Sequence, residues 1–337
     1  MTRFVLLSRD LPPGRVGGVA SWTDDLARAL VEDGREVEVY AESRSVEADP
    51  DRPYMVHPVR GRSWARWQST WMAMAAGRAA MGAEGVVIAA TWRLATVLVR
   101  LGSRVLVGAH GSDITRMEGV PAAFAALRDT VDFLPVSQFL AGRLVDLGVS
   151  PTRVHPLPWP LRPVEAGSRT QDLVMVARLV DGKGLHDAAV LAQRLGRRLT
   201  VVGEGPARAD VARWCDHRGV DVQWLGARSR HHARQVVATA AAVVLLSEPG
   251  SDEGLGLTAL EAAAAGVPAI GRDVGGVREA VGPGVVLAAD ADVATVDLAP
   301  IHALLADPSA GRHARVHLQE HHGPRACLAT LDRVLSR

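Results

Sequence analysis

Short β-type runs, most of them apolar, alternate with stretches of helical periodicity along this chain, and the alternation is interrupted once. In the first half the runs are 4–7, 36–40, 86–89, 105–108 and 133–136, with amphipathic stretches such as 20–32 and 138–147 between them. Continuous apolar runs, as opposed to alternating ones, mark strands buried on both faces, so the pattern specifies a parallel sheet covered by helices. The interruption is HPLPWPLRP at 155–163, four prolines in nine residues, followed by a polar segment over 164–170. Proline removes amide donors and fixes φ, so this segment is extended and not a helix. The alternation then restarts with runs at 172–176, 199–202, 222–224, 242–246, 268–270 and 285–287. The expected organisation is therefore α/β, with one Rossmann-like domain over 1–160, a second over 168–322, and a helix over 323–337 packing back on the first. Two doubly wound domains would present ligands at the carboxyl ends of their parallel strands, with a cleft between the domains.

A length of 337 residues suits two cores of about 150 residues each. Hydrophobic residues at 48% and charged residues at 22% exclude wholesale disorder, and 38 basic against 37 acidic side chains exclude a dominant nucleic-acid footprint. Two cysteines, Cys215 and Cys327, cannot form a disulfide framework and suit a reducing compartment. The first apolar run ends at Leu7, too short for a signal-peptide core, and no stretch of about 18 uncharged apolar residues occurs. The expectation is a cytoplasmic protein with no transmembrane segment. One residue stands out: Lys183 is the single lysine among the 38 basic side chains.

The strongest local signal is EGLGLTALE, running from Glu253 to Glu261 and followed by AAAAGVP. A glycine-bearing turn here opens a helix over 257–265. The first amides of a helix lack intrahelical partners and sit at the positive end of its dipole, which makes this terminus a natural anion site. Glu253 precedes the terminus and Glu261 lies in the second turn. Glu261 is also the only charged residue between Glu253 and Arg272, so a buried carboxylate there requires a partner, either a protein cation or a ligand.

Arg178 and Lys183 flank the turn in ARLVDGKG, between a strand and the helix over 185–194. Two cations beside a helix N-terminus suit a diphosphate, the guanidinium gripping two oxygens and the ammonium acting as a point charge. Ordinary surface charge is the alternative, and it is weaker for the lone lysine. Gly17 and Gly18 follow the first strand and either let the backbone approach a phosphate closely or simply turn the chain. The segment VVGEGP, with Gly203, Glu204 and Gly205, is the nearest thing to a dinucleotide-binding turn, but Arg208 stands where a third glycine would be. His110, in HGSD, directly follows a buried strand, where it is either a ligand contact or an ordinary loop histidine.

In this order and at these separations, the early Gly-Gly loop, ARLVDGKG, VVGEGP and the two glutamates separated by seven residues resemble the retaining glycosyltransferases of family 4, across about residues 1–285. The Glu-x7-Glu element is the specific part. The resemblance implies the GT-B architecture, two Rossmann-like doubly wound parallel-sheet domains with an interdomain cleft. It also implies a nucleotide diphosphate sugar donor, a small-molecule, saccharide or lipid-linked hydroxyl acceptor, retention of anomeric configuration, and no bound metal or other cofactor. By position, Arg178 and Lys183 would neutralise the donor diphosphate, Glu261 would hold the ribose, and Glu253 a hydroxyl of the transferred sugar. His110 would contact the donor sugar. Amides at Gly17, Gly18, Leu255, Gly256 and Leu257 would add phosphate contacts. Gly203, Glu204 and Gly205, with Leu225, Gly226 and Arg228, would line the base pocket. No protein nucleophile is implied.

The acceptor is less legible. Trp64, Trp67 and Trp71, spaced along one helix face with Arg60, Arg62 and Arg66 nearby, form either a core stripe or an aromatic, basic acceptor surface. Two rival readings share the architecture. One is a phosphorylase-like enzyme carrying pyridoxal phosphate on Lys183, and the other is a non-catalytic two-lobed sugar-binding protein.

Overall fold

The computed structural model describes residues 2–14, 17–43, 46–59, 85–99, 104–117, 119–251 and 253–337. The helix expected to carry Trp64, Trp67 and Trp71, with Arg60, Arg62 and Arg66, lies outside these residues. The chain divides into two compact units, Met1–Pro160 with His322–Arg337, and Leu161–His321. The first division falls inside the proline-rich segment.

In the first unit the chain runs β1 (Arg3–Ser8), α1 (Gly18–Glu32), β2 (Glu36–Glu42), β3 (Met55–Val59), β4 (Gly85–Ala89), α2 (Trp92–Leu98) and β5 (Arg104–Ala109). It continues through α3 (Ser112–Thr115), α4 (Ala122–Arg128), β6 (Asp132–Pro135) and α5 (Gln138–Asp146). The six strands are parallel, in the order β3-β2-β1-β4-β5-β6. The apolar runs form the central strands, and Phe4, Leu7, Val87 and Ile88 are inaccessible to solvent. Strand β3 was not expected from the sequence. Its MVHPV carries a proline and a histidine, and it tolerates them because, among the described strands, it pairs with β2 alone, at the sheet edge, where a missing amide leaves no partner wanting.

The second unit repeats the plan with β7 (Leu173–Val176), α6 (Leu185–Leu195), β8 (Leu199–Val202), α7 (Ala207–Arg218), β9 (Val222–Gly226), α8 (Arg230–Thr239) and β10 (Ala242–Leu245). Then follow α9 (Leu257–Ala264), β11 (Ala269–Arg272), α10 (Val277–Val281), β12 (Val285–Leu287), α11 (Ala299–Ala306) and α12 (Ala310–His321). Its strand order, β12-β11-β10-β7-β8-β9, is that of the first sheet. Alternation along β7 explains the two-sided cover. Leu173 and Met175 join Leu185, Ala188 and Cys215 on one face, while Val174 joins Val237, Val243 and Ala262 on the other.

Helix α13 (Gly323–Leu335) belongs to the first unit. Cys327, Leu331 and Val334 are buried there. Asp332 receives both guanidinium nitrogens of Arg35, at 2.7 and 2.9 Å, and Arg104 donates to the last carbonyls, Val334 and Leu335, at 2.8 Å each. That cation at the helix C-terminus also complements the dipole. Gly323 N donates to Trp159 O at 2.7 Å, and the Trp159 indole donates to Asp25 at 2.8 Å, so the return of the chain is pinned at both sides.

Candidate active site

In a doubly wound sheet, ligands lie outside the carboxyl ends of the strands, where the strand order reverses. In the second unit that point lies between β7 and β10, which are hydrogen-bonded neighbours. Arg178 and Lys183 follow β7, and Ser247 and Glu253 follow β10. Lys183 Nζ donates to Glu253 Oε2 at 2.6 Å, and Ser247 Oγ donates to the same oxygen at 3.0 Å. The lone lysine and the first glutamate of the motif thus meet directly, both side chains about one-fifth exposed. Gly184, which caps α6 at φ 69°, makes the meeting possible, because a Cβ there would stand 1.9 Å from Leu246 O. Arg178 is exposed and forms no ion pair among the described residues.

Glu261 is 7% exposed, and its partner is a protein cation: Arg230 Nε, from the first turn of α8, lies 2.9 Å from Glu261 Oε1. The two glutamates therefore each face a cation of their own. Leu255, Gly256 and Leu257 form the start of α9, with Gly256 as its cap. Sequence reasoning missed Arg230, one of 37 arginines, and it missed Arg272. Arg272 is 4% exposed, donates to Asp187 at 2.7 Å and to Leu246 O at 3.0 Å, and so braces the first turn of α6 against the end of β10. Its signal was available, since a charge at the end of a wholly apolar strand must be paired.

One strand further along, Glu204 accepts from Arg208 at 2.6 Å, and Gly203 N donates to Gly226 O at 3.0 Å. Glu204, Gly226 and Arg228 lie together, because a Cβ on Gly226 would be 2.9 Å from Glu204 Oε1 and 4.0 Å from Arg228 Nη1. Arg208 also stands over the Trp224 ring at 5.6 Å. The glycines of GEG have a packing reason of their own: a Cβ on Gly203 would lie 1.8 Å from Ala177 O, and one on Gly205 2.2 Å from Leu179 O. They let this loop press against the loop carrying Arg178.

In the first unit, Gly17 caps α1 and Gly18 begins it, both exposed, and a Cβ at either would meet nothing within 4 Å. Packing does not require glycine at these two positions. His110 sits at the end of β5 with its ring 4.6 Å from Trp22, edge on. Both ring nitrogens are shielded from water, and the backbone of Ala90 is the polar group that interacts with the ring. Burial pushes its pKa down to about 4, which keeps the ring neutral at pH 7. Asp113 Oδ1 receives the amides of His110 and Gly111 at 3.2 and 3.0 Å, while its Oδ2 is buried without a hydrogen-bond partner among the described residues. Burial pushes this carboxyl up to about 6.

Among the described residues no group of three or more His, Cys, Asp or Glu side chains is placed to hold a metal ion, and no helix is long and apolar enough to cross a membrane. Lys183 Nζ, the atom that a pyridoxal phosphate imine would use, is engaged by Glu253.

Two family models match the chain in succession. The model for Glycosyltransferase Family 4 covers residues 16–161, and that for Glycosyl transferases group 1 covers residues 162–313. A glycogen synthase of Mycobacterium tuberculosis is 33% identical over 196 residues, which is 55% of this chain and 46% of that protein. The match thus spans about half the length of that relative. Among solved structures, Anabaena HepE in complex with UDP and glucose superposes with a TM-score of 0.78 at 15% identity, covering 100% of both chains. AviGT4, a glycosyltransferase involved in avilamycin A biosynthesis, superposes at 0.70 with 18% identity, covering 100% of this chain and 96% of its own.

Proposed function

We propose that this chain, which its fold and its two family domains place among the GT-B glycosyltransferases, transfers a sugar from a nucleoside diphosphate sugar to a hydroxyl acceptor with retention of configuration. The observation that carries the reading is the Lys183–Glu253 pair at the point where the strand order of the second sheet reverses. The second unit would take the donor and the first the acceptor. Departure of the diphosphate builds negative charge on its oxygens while positive charge grows at the anomeric carbon. Lys183, Arg178 and the amides that open α6 and α9 would meet the first charge, and fixed dipoles aimed at developing charge favour the transition state over the ground state. Glu253 would accept a hydrogen bond from a sugar hydroxyl and Glu261 from the ribose, with Arg230 holding the Glu261 carboxylate in place.

The neutral ring of His110 can donate or accept, which suits contact with a sugar hydroxyl. The pair of glycines at 17 and 18, free of packing demands, suits close approach to phosphate. Glu204, Gly226 and Arg228 would border the base. No side chain is assigned as nucleophile: the departing phosphate would take the acceptor proton, and the cations would do the work of a divalent metal. A supply of nucleotide sugar points to the cytoplasm as the place of action. UDP is the first donor nucleotide to try, given the ligands in the HepE structures.

The test is a thermal-shift screen with UDP, GDP, ADP and dTDP, followed by the release of nucleoside diphosphate from the matching donor. One nucleotide should raise the melting temperature in the parent and not in Lys183→Met. Absence of stabilisation by all four would end the proposal.

A further inference from the structure

The second unit has a concavity at the other end of its sheet. It measures about 460 Å³, within the range of small-molecule pockets. Its walls include Arg169, Ala241 and Pro268, from the segments that lead into β7, β10 and β11. Lys183 and Glu253 follow the opposite ends of β7 and β10, so the strands separate the two places. The rest of the wall includes the turn that follows α9, the end of α11, the turn between α11 and α12, and the first turns of α12.

Arg169, Arg312 and Arg315 line this cavity, and none of them forms an ion pair among the described residues. Elsewhere in the unit Arg230, Arg272, Arg198 and Arg278 each hold a carboxylate. Here the partners are main-chain carbonyls. Arg169 donates to Ala240 O at 2.9 Å and to Gly266 O, and Arg315 donates to Val164 O at 2.9 Å. Carbonyls fix the guanidinium planes and leave their charge uncompensated.

Two glycines bring these charges together. A Cβ on Gly311 would lie 1.8 Å from Gly266 O and 3.3 Å from Arg169 Nη2, and one on Gly266 would lie 3.3 Å from Arg315 Nη2. Both guanidiniums thus border one backbone crossing. Burial and then the charge of Arg315 lower the pKa of Arg169, as expected of like charges held close. The one carboxylate on the wall, Asp307, is engaged by the Ser309 amide and hydroxyl at 2.8 and 2.6 Å, lies 3.9 Å from His313 Nδ1, and feels the charge of Arg312. Three cations against one anion leave two positive charges facing the cavity, beside an apolar surface of Leu304, Leu305 and Pro308.

We propose that this cavity is a binding site for a small phosphomonoester, its dianionic phosphate held by Arg312, Arg315 and Arg169 and its body lying on the apolar wall. Guanidinium pairs recognise phosphate bidentately, and the charges match. This proposal goes beyond the donor site and does not depend on it.

The test is isothermal titration calorimetry of the full chain with glucose 1-phosphate, and with glucose and inorganic phosphate as separate titrants. Saturable binding of glucose 1-phosphate is expected, with glucose silent and inorganic phosphate weaker. Arg312→Gln with Arg315→Gln should weaken it at least ten-fold, and Arg312→Gln alone, which breaks no bond within the protein, should weaken it in a chain that melts like the parent. Lys183→Met should leave the arginine-dependent binding unchanged. No saturable binding of glucose 1-phosphate or inorganic phosphate overturns the proposal. So does binding that Lys183→Met abolishes and the arginine variants keep, because the phosphate would then sit at the other end of the sheet.

Discussion

Glu253→Gln separates a sugar-binding role for Glu253 from a role in holding Lys183. In the resting protein Lys183 spends its charge on Glu253 at 2.6 Å, in a pair whose side chains are each 19% exposed. A diphosphate arriving at Lys183 must share the ammonium with that carboxylate and tolerate a like charge beside it. The amide of glutamine keeps the shape and the Ser247 contact but removes the charge. A charge-assisted hydrogen bond contributes about 1.5–3 kcal/mol and a neutral one about 1 kcal/mol, so the ammonium is released by roughly 1 kcal/mol. Free UDP, or whichever diphosphate the screen identifies, should therefore bind about five-fold tighter to Glu253→Gln than to the parent, given that 1.4 kcal/mol is a factor of ten. Turnover with the full donor should meanwhile fall by about 10²–10³, the cost of losing one pre-organised contact in the transition state. Calorimetry with the diphosphate and steady-state rates with the donor give the two numbers. Weaker diphosphate binding in Glu253→Gln would refute the reasoning, because it would mean that Glu253 exists to position the lysine.

Arg230→Met should lower stability by about 3 kcal/mol, because it leaves the 7% exposed Glu261 without its charged partner, and an unchanged urea midpoint would contradict the pairing. Gly203→Ala should cost about 2 kcal/mol or more and weaken nucleotide binding as well, since its Cβ would drive the Ala177 carbonyl and the Arg178 loop aside. His110 titrates near 4 when folded and 6.5 when unfolded, so the stability it supports is lost as pH falls from 6.5 toward 4. Asp113, near 6 folded and 3.8 unfolded, adds stability as pH falls through 6. Urea titrations at pH 7 and 4.5 should then show His110→Gln less acid-sensitive than the parent, by roughly 2–3 kcal/mol, and Asp113→Asn more so. Chelation by EDTA should leave the transfer rate unchanged, and a ten-fold loss restored by Mg²⁺ would contradict a metal-free leaving-group site.

What the chain discloses in one dimension follows from how each feature is encoded. Strands buried on both faces favour uninterrupted apolar runs, so β1, β4, β5 and β10 could be read directly. The edge strand β3 needs none and could not. Pairwise features were harder. That Glu261 requires a counter-charge follows from the apolar helix around it, but its identity as Arg230 depends on α8 lying against α9, and arginine is too common here for any one to stand out. The reverse holds for Lys183, whose rarity singled it out, while its contact with Glu253 depends on Gly184 allowing α6 to approach Leu246. The glycines of GEG, read as the nearest thing to a dinucleotide-binding turn, also have a packing duty, which only the approach of Ala177 and Leu179 reveals. The three arginines of the far cavity gave no signal at all, since their meeting depends on the crossing of Gly266 and Gly311, 45 positions apart.

Helix α13 has a consequence for the order in which the molecule can be assembled. The first unit buries Leu331 and Cys327 and caps its terminal carbonyls with Arg104, yet these residues follow the entire second unit in the sequence. During synthesis the ribosome therefore delivers everything the second unit needs before it delivers the last piece of the first. The second unit can close as soon as residue 321 emerges, whereas the first must wait with an unfilled groove along α1, and chains of this size tend to complete their domains in the order in which their parts appear. The unit whose strands are made earlier is thus the one finished later, and its exposed apolar groove is where a nascent chain of this protein most needs protection.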